Sequence, residues 1–362
     1  MIGTNQGAPQ TARRKDDHIE INLTKAVQAT EVTTGFEDLR FIHQALPEID
    51  LADVSVRTSF LGTPLAAPIL VSAMTGGTPR GWEITRRLAV AAQEHGLPMG
   101  VGSQRAAVED PERARYFRVR DVAPDIFLMA NLGAIQLNLG YGVDQCRRVV
   151  DMIEANALVL HLNPLQEALQ PEGDTGFGNL LHRIEDVCRL LDVPVVVKEI
   201  GCGISGGVAR RLAEAGVASI DVGGAGGTSW SGVEHYRATD RVWRQVSATF
   251  ADWGIPTATS LRMVREAVPD IPVVASGGMR NGLEAAKALA LGAVLAGFAG
   301  PLLRAADAGE DVLDDLVRAT IEEVRLAMFC TGVGQVDDLV SVPLLTAAGS
   351  LHVSPGGGER SG

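Results

Sequence analysis

The stretch VLHLNPLQE, residues 159–167, decides how this chain is read. An apolar run ends in His161, and Asn163, Gln166 and Glu167 follow at once. A core strand has no use for polar side chains crowded at one end, because burying each without a partner costs free energy. A strand that delivers ligands to the mouth of an α/β barrel accounts for all of them.

Similar runs lie on both sides of it. The sequence predicts strands at Ile69–Ala73, Pro98–Gly102, Ile126–Ala130, Leu158–His161, Val195–Glu199, Ser219–Val222, Val273–Ser276 and Val294–Phe298. Helical patterns alternate with them, at Gly81–His95, Val143–Ala155, Leu180–Leu191, Gly206–Ala215, Leu283–Leu291 and Asp311–Phe329. Valine-rich runs that are apolar on both faces and separated by helices mean a covered parallel sheet. Eight such units close more readily into a ring than they stay open. The expected architecture is α/β: a single (β/α)8 TIM barrel over residues 63–350 with an N-terminal arm and extension over 1–62. A tail at 351–362 and the small, polar residues 1–12 are expected to be disordered. The loop at 223–255 is the longest and is expected to be a lid or an insertion.

The chain has 362 residues, 46% hydrophobic and 21% charged, which fills a large core without difficulty. Its net charge of −12 argues against a nucleic-acid footprint, while leaving local anion sites open. No apolar run approaches the ~18 residues of a membrane span, and the first residues lack the apolar core of a signal peptide. Cys146, Cys188, Cys202 and Cys330 lie far apart without metal spacing. A cytoplasmic protein with reduced thiols, and no nucleic-acid or membrane partner, is expected.

Barrel enzymes act where their strands end. Here the strands run into MTGG (74–77), SQR (103–105), NLGA (131–134), GCGIS (201–205), GGAGGTSW (223–230), SGGMRNG (276–282) and GFAGP (297–301). Glycines after the seventh and eighth strands let backbone amides approach a phosphate, with Gly277, Gly278 and Arg280 on one side and Ala299 and Gly300 on the other. The bland alternative is that they only turn a strand into a helix. Lys198 is a cation in an otherwise apolar strand. It either pairs with Glu199 or, since neighbours alternate faces, points into the barrel mouth, where a cation suits a reduced flavin. Glu167 is either a carboxylate at the start of a helix opened by Pro164 or a ligand for Mg²⁺ bridging a diphosphate. His161 alone reads as a core histidine; with Asn163 and Gln166 beside it, it reads as a substrate contact. The basic cluster RRKDDHI (13–19) is a solvated face or an arm that closes over an anionic substrate.

Together these motifs resemble the type 2 isopentenyl-diphosphate isomerases, FMN-dependent enzymes of isoprenoid biosynthesis. The resemblance rests on RKDDHI (14–19), SAMTGG (72–77), GSQR (102–105), HLNPLQE (161–167), KEIGCGIS (198–205), DVGGAGGTSW (221–230) and ASGGMRNG (275–282). It implies a barrel that interconverts isopentenyl and dimethylallyl diphosphate with Mg²⁺ and with reduced FMN as the acid–base catalyst, supported by His161, Asn163 and Gln166. NADPH would be the reductant of the flavin, and the assembly a homotetramer or homo-octamer. Carried over residue by residue, it places FMN on Ala73, Met74, Thr75, Ser103, Asn131, Lys198 and Thr228, with its phosphate on Gly278, Met279, Arg280, Ala299 and Gly300. Substrate falls to Arg14, Lys15, Ser103, Gln104, Arg105, His161 and Gln166, and Mg²⁺ to Glu167. Gly223 stands where many relatives have serine, which removes one hydrogen bond to FMN or passes it to the backbone. Cys202 falls near the expected flavin as incidental packing.

Two rivals remain. An FMN-dependent 2-hydroxy-acid oxidase or dehydrogenase needs a histidine base in a late loop, where this chain offers only His235. A non-catalytic flavin-binding redox sensor has no reason to keep Gln166, Glu167 and the basic arm together.

Overall fold

Eight parallel strands pair in chain order and close a ring: β1 (Ile69–Val71), β2 (Met99–Gly100), β3 (Leu128–Gly133), β4 (Ala157–Leu162), β5 (Val195–Glu199), β6 (Ser219–Asp221), β7 (Val273–Ser276) and β8 (Leu295–Phe298). The computed structural model describes residues 7–74 and 76–352. Strands β5 and β7 coincide with the runs read from the sequence. Strand β3 is displaced from the expected Ile126–Ala130, because Asn131 and Gly133 continue the ladder opposite Val159 and His161. The expected αβ alternation is the (β/α)8 barrel of the structure.

Around the ring run α2 (Pro79–His95), α3 (Arg105–Glu109), α4 (Val143–Ile153), α5 (Pro164–Leu169), α6 (Leu180–Leu190) and α7 (Gly206–Glu214). They are followed by α8 (Trp230–Arg237), α9 (Arg241–Thr249), α10 (Thr257–Ala267), α11 (Gly282–Ala290), α12 (Gly300–Ala308) and α13 (Glu310–Phe329). Their ends follow local chemistry. Helix α2 opens with Pro79 behind a Thr78 cap whose side chain accepts from the Gly81 amide, and it closes at left-handed Gly96.

Strand alternation sorts the residues that matter. Phe60, Met129, Val159, Val196, Val274 and Leu295 share the cluster inside the ring, whereas Leu158, Leu160, Val197 and Ile220 pack outward against the helices. Two residues beyond an inward position the chain points inward again. Asn131, His161, Lys198, Ser276 and Gly297 therefore rise above that cluster into the mouth. The floor is sealed by the hairpin Thr58–Phe60/Thr63–Leu65, whose Phe60 ring meets Phe127 edge-on at 5.4 Å.

Two expectations change. Helix α1 (Gly7–Thr24) begins inside the stretch expected to be disordered. Of the two readings of the 223–255 segment, the structure matches the insertion, which contains the packed pair α8 and α9. The Asp252 carboxylate ties that segment to the N-terminal extension by accepting from the amides of Thr30, Glu31 and Val32. Leu39–Phe41 pairs antiparallel with Leu344–Thr346, and Leu351–His352, the first two residues of the stretch expected to be a disordered tail, instead add a further strand at the other edge of that pair. No described helix is long and apolar enough to cross a membrane.

Candidate functional site

The strands converge on a cavity of about 440 Å³ at their C-terminal ends. Of the residues singled out from the sequence, Arg14, Lys15, Ala73, Met74, Ser103, Arg105, Asn131, His161, Asn163, Gln166, Glu167, Lys198, Thr228, Gly278, Met279, Arg280, Ala299 and Gly300 all line it. Thr75 lies outside the described residues. Gln104 does not reach the cavity. Its side chain is fully buried between β3 and α4, accepting from the Asn131 amide and donating to the Val149 carbonyl. A substrate role for Gln104 is thereby corrected to an internal brace.

One side of the mouth, over β6 to β8, is made of backbone. A Cβ on Gly277 would stand 2.1 Å from the Gly224 carbonyl oxygen, and one on Gly227 would stand 2.5 Å from the Gly278 nitrogen. The glycines after β6 and β7 thus let two loops pack main chain against main chain, beyond any need of a ligand. Gly223 obeys the same rule: its φ is +47° and a Cβ there would meet the Glu199 carbonyl oxygen at 2.0 Å, so this backbone takes glycine alone. Helix α12 starts beside these loops from Ala299, which offers no side-chain cap, so its first turn presents amides where Ala299, Gly300 and Pro301 line the cavity. Arg280 and Arg304 add charge there.

The opposite side, over β2 to β4, is made of side chains. Arg14, Lys15, His18, Ile19 and Asn22 of α1 face the cavity together, the spacing of one helix face. Arg14 donates to Gln170 Oε1 at 3.0 Å, and Lys15 Nζ donates to the Ser103 carbonyl at 2.7 Å while lying 5.0 Å from the Phe117 ring centroid. Burial, helped by Arg14 and Arg113, lowers the Lys15 ammonium to about 7. Arg105 is already held by Glu109 and Asp174.

On β4, His161 Nδ1 contacts Asn131 Oδ1 at 2.8 Å, and the Asn131 amide nitrogen donates to the Val101 carbonyl. That second bond turns the asparagine oxygen toward the ring, so the proton of neutral His161 sits on Nδ1. Burial, then Lys198 and Lys15, push His161 down to about 4, so it is uncharged at neutral pH. Asn131 is accordingly a holder of His161 as well as a cavity residue.

Glu167 sits within α5, behind the Asn163 cap position, and is no helix cap itself. Its Oε1 accepts from Asn163 Nδ2 and its Oε2 from the Asp174 amide, both neutral donors. Asn163 Oδ1 is buried beside it with no donor among the described residues. A carboxylate and an amide oxygen with no cationic partner among the described residues suit one Mg²⁺ completed by phosphate oxygens and water. The only His/Cys/Asp/Glu group of metal-binding geometry among the described residues, Glu94–His95–Asp314, belongs to α2 and α13 rather than to the cavity.

The sequence reading missed two features. Buried Glu234 of α8 accepts from Gln166 Nε2 at 3.4 Å and Arg237 Nη1 at 2.6 Å, and meets His18 Nε2 at 3.2 Å. Burial lowers the His18 pKa despite that carboxylate. The partner of Lys198 is Asp221 at 3.5 Å, not Glu199, whose Oε2 accepts from the amides of Ile200, Gly201 and Cys202. Cys202 does not line the cavity, and burial pushes its thiol up to about 12, far from a reactive thiolate.

The donor set fits a flavin mononucleotide: a backbone-built anion cradle at one side and Lys198 on the wall. Comparison with known proteins agrees with this. The family described as FMN-dependent dehydrogenase matches residues 167–345. An isopentenyl-diphosphate delta-isomerase of Nostoc sp. is 52% identical over 336 residues, covering 93% of this chain and 96% of the relative. One from Rickettsia bellii is 49% identical over 332 residues, covering 92% and 97%. Among solved structures, a mandelate oxidase variant carrying an FMN adduct superposes with a TM-score of 0.64 at 23% identity, covering 96% of this chain and 99% of its own, a likeness of fold.

Proposed function

The chain belongs to the FMN-dependent, type 2 isopentenyl-diphosphate delta-isomerase family, and from that membership we propose that it interconverts isopentenyl and dimethylallyl diphosphate using reduced FMN and Mg²⁺. The observation that carries this reading is the charge of the cavity. Arg14, Lys15, Arg105, Lys198, Arg280 and Arg304 line it against Glu167, the single acid there among the described residues, in a chain whose net charge is −12. Two anionic groups held at once explain cations at both sides of the mouth.

In this reading Gly278, Met279, Arg280, Ala299 and Gly300 hold the FMN phosphate, and Ala73, Met74, Ser103, Asn131, Lys198 and Thr228 line its ring and chain. Arg14, Lys15, Ser103, Arg105 and Gln166 hold the diphosphate, with Glu167 on Mg²⁺. Neutral His161 packs against substrate without adding charge. When bound and reduced, FMN supplies the proton exchange at the allylic carbons. The side chains position, neutralise and exclude water. With the family reading go NADPH as the reductant, a homotetramer or homo-octamer, and a cytoplasmic location. A 2-hydroxy-acid oxidase loses its late-loop candidate base here: the His235 ring is hydrogen-bonded to the Arg244 carbonyl and does not line the cavity.

Holoenzyme incubated anaerobically with labelled isopentenyl diphosphate is expected to yield dimethylallyl diphosphate only when FMN is reduced and Mg²⁺ is present. Turnover indifferent to both chelator and flavin removal sinks the reading. Glu167→Gln is expected to raise KM for the diphosphate by roughly 100-fold, the worth of one charge-assisted contact, with FMN retained. Loss of flavin instead would move Glu167 to the cofactor's site.

A further inference from the structure

We propose that Asp221 sets how strongly the cavity prefers reduced over oxidised flavin, by holding the Lys198 ammonium from behind and offsetting part of its charge. The inference rests on the reading that the cavity binds FMN.

The geometry comes from register. Lys198 and Asp221 are direct partners across β5 and β6, and Asp221 partners Val274 across β6 and β7, two residues before Ser276. Paired residues of parallel strands face the same way, and a step of two keeps that face. Lys198, Asp221 and Ser276 are therefore three inward residues on consecutive strands. Their side chains meet: Lys198 Nζ lies 3.5 Å from Asp221 Oδ2, and Ser276 Oγ donates to Asp221 Oδ1 at 2.5 Å. Lys198 Nζ also donates to the Glu199 carbonyl at 2.9 Å. The Gly223 amide donates to Asp221 Oδ1 at 3.3 Å.

Lys198 and Ser276 line the cavity, whereas Asp221, 3% exposed, does not. Asp221 touches no ligand and acts through Lys198. It is a positioning residue. A buried ammonium is tolerated when a buried carboxylate pairs with it, and each diminishes the field the other projects. Reduction of a flavin puts negative charge on the ring, which a cation at its N1–C2=O edge favours. The more of its charge Lys198 presents, the tighter the reduced form binds relative to the oxidised.

Asp221→Asn keeps the shape and removes the countercharge. Titration of the substituted protein with oxidised and with reduced FMN is expected to show the ratio of their dissociation constants shifted at least tenfold toward the reduced form. Spectroelectrochemistry of the bound flavin then reads a rise of ~30 mV for the two-electron couple. In a Lys198→Met background the same substitution is expected to move the ratio less than twofold, because Asp221 acts on the flavin only through the ammonium it pairs with. Should Asp221→Asn lose FMN altogether, Ser276→Ala carries the test: it concentrates the Asp221 charge on Lys198 and shifts the ratio the other way. An unchanged ratio with FMN still bound, or an equal shift with and without Lys198, overturns the assignment. A native protein that binds no flavin overturns the cofactor reading itself, and this inference with it.

Discussion

The two sides of the cavity mouth are built from opposite materials. Over β6 to β8 the wall is main chain, with glycines of two loops packed so closely that a single methyl at Gly227 would stand 2.5 Å from a neighbouring nitrogen. Over β2 to β4 it is charged side chain, much of it carried by α1, an element outside the barrel. On the proposed reading, the contrast teaches that a rigid site for a resident ligand and an adjustable site for a passing one can share one cavity. Backbone amides cannot be relocated without moving a loop. Arginine and lysine can swing.

The comparison breaks most visibly at Gly227. Gly227→Ala is expected to leave the purified protein without its flavin absorbance and to lower its stability by about 3 kcal/mol, the cost of overpacking against main chain. Thermal melts and the visible spectrum read both effects. If the protein stays yellow, the backbone side is softer than described.

Next in size is the charged side. Arg14→Ala is expected to raise KM for the diphosphate by roughly 100-fold while FMN affinity stays within about twofold, since one charge-assisted contact is worth about 1.5–3 kcal/mol. Parallel loss of both ligands would mean that the two sides are not separable.

The pH dependence sharpens the same point. Lys15 is lowered to about 7 by burial, so the free enzyme loses this cation as pH rises through neutrality. KM for the diphosphate is expected to climb above pH 7, approaching roughly tenfold per pH unit if the charged form alone binds. Lys15→Arg is expected to flatten that rise, because arginine keeps its charge. The linked effect on folding has the opposite sense. A lysine depressed in the fold binds fewer protons there than in the unfolded chain between about 7 and 10.5, so ligand-free stability gains from Lys15 as pH rises through that window.

The smallest functional effect belongs to Gln104. Gln104→Ala is expected to cost about 1–3 kcal/mol, from the buried Asn131 amide left without its acceptor, while KM stays within about twofold. A large KM effect would return Gln104 to the substrate.

Gln104 also shows where sequence reading ends. In GSQR every polar residue after a strand had the same claim on the cavity, and only β3–α4 packing turns this one inward. The strands were legible because valine-rich runs need no context: β5 and β7 were placed to the residue. The backbone side was legible because its chemistry is local, glycines at strand ends. Asp221 was hidden because it falls inside the run read as the strand Ser219–Val222, and only pairing with β5 reveals its partner. Glu234 was hidden in an ordinary amphipathic helix. Helix α1 was hidden because its charges suit a solvated segment until a cavity lies beneath them.

That helix has a consequence for how the protein assembles. Its contacts with Ser103, Gln170 and Glu234 span 88, 156 and 216 residues. Contacts so distant along the chain are closed late, after the loops between them have been shortened by local structure. A segment made before the barrel is thus expected to dock after it. A chain interrupted before β6 and α8 lacks the surface that receives it, so on the proposed reading competence to grip a diphosphate doubles as a signal that folding has finished.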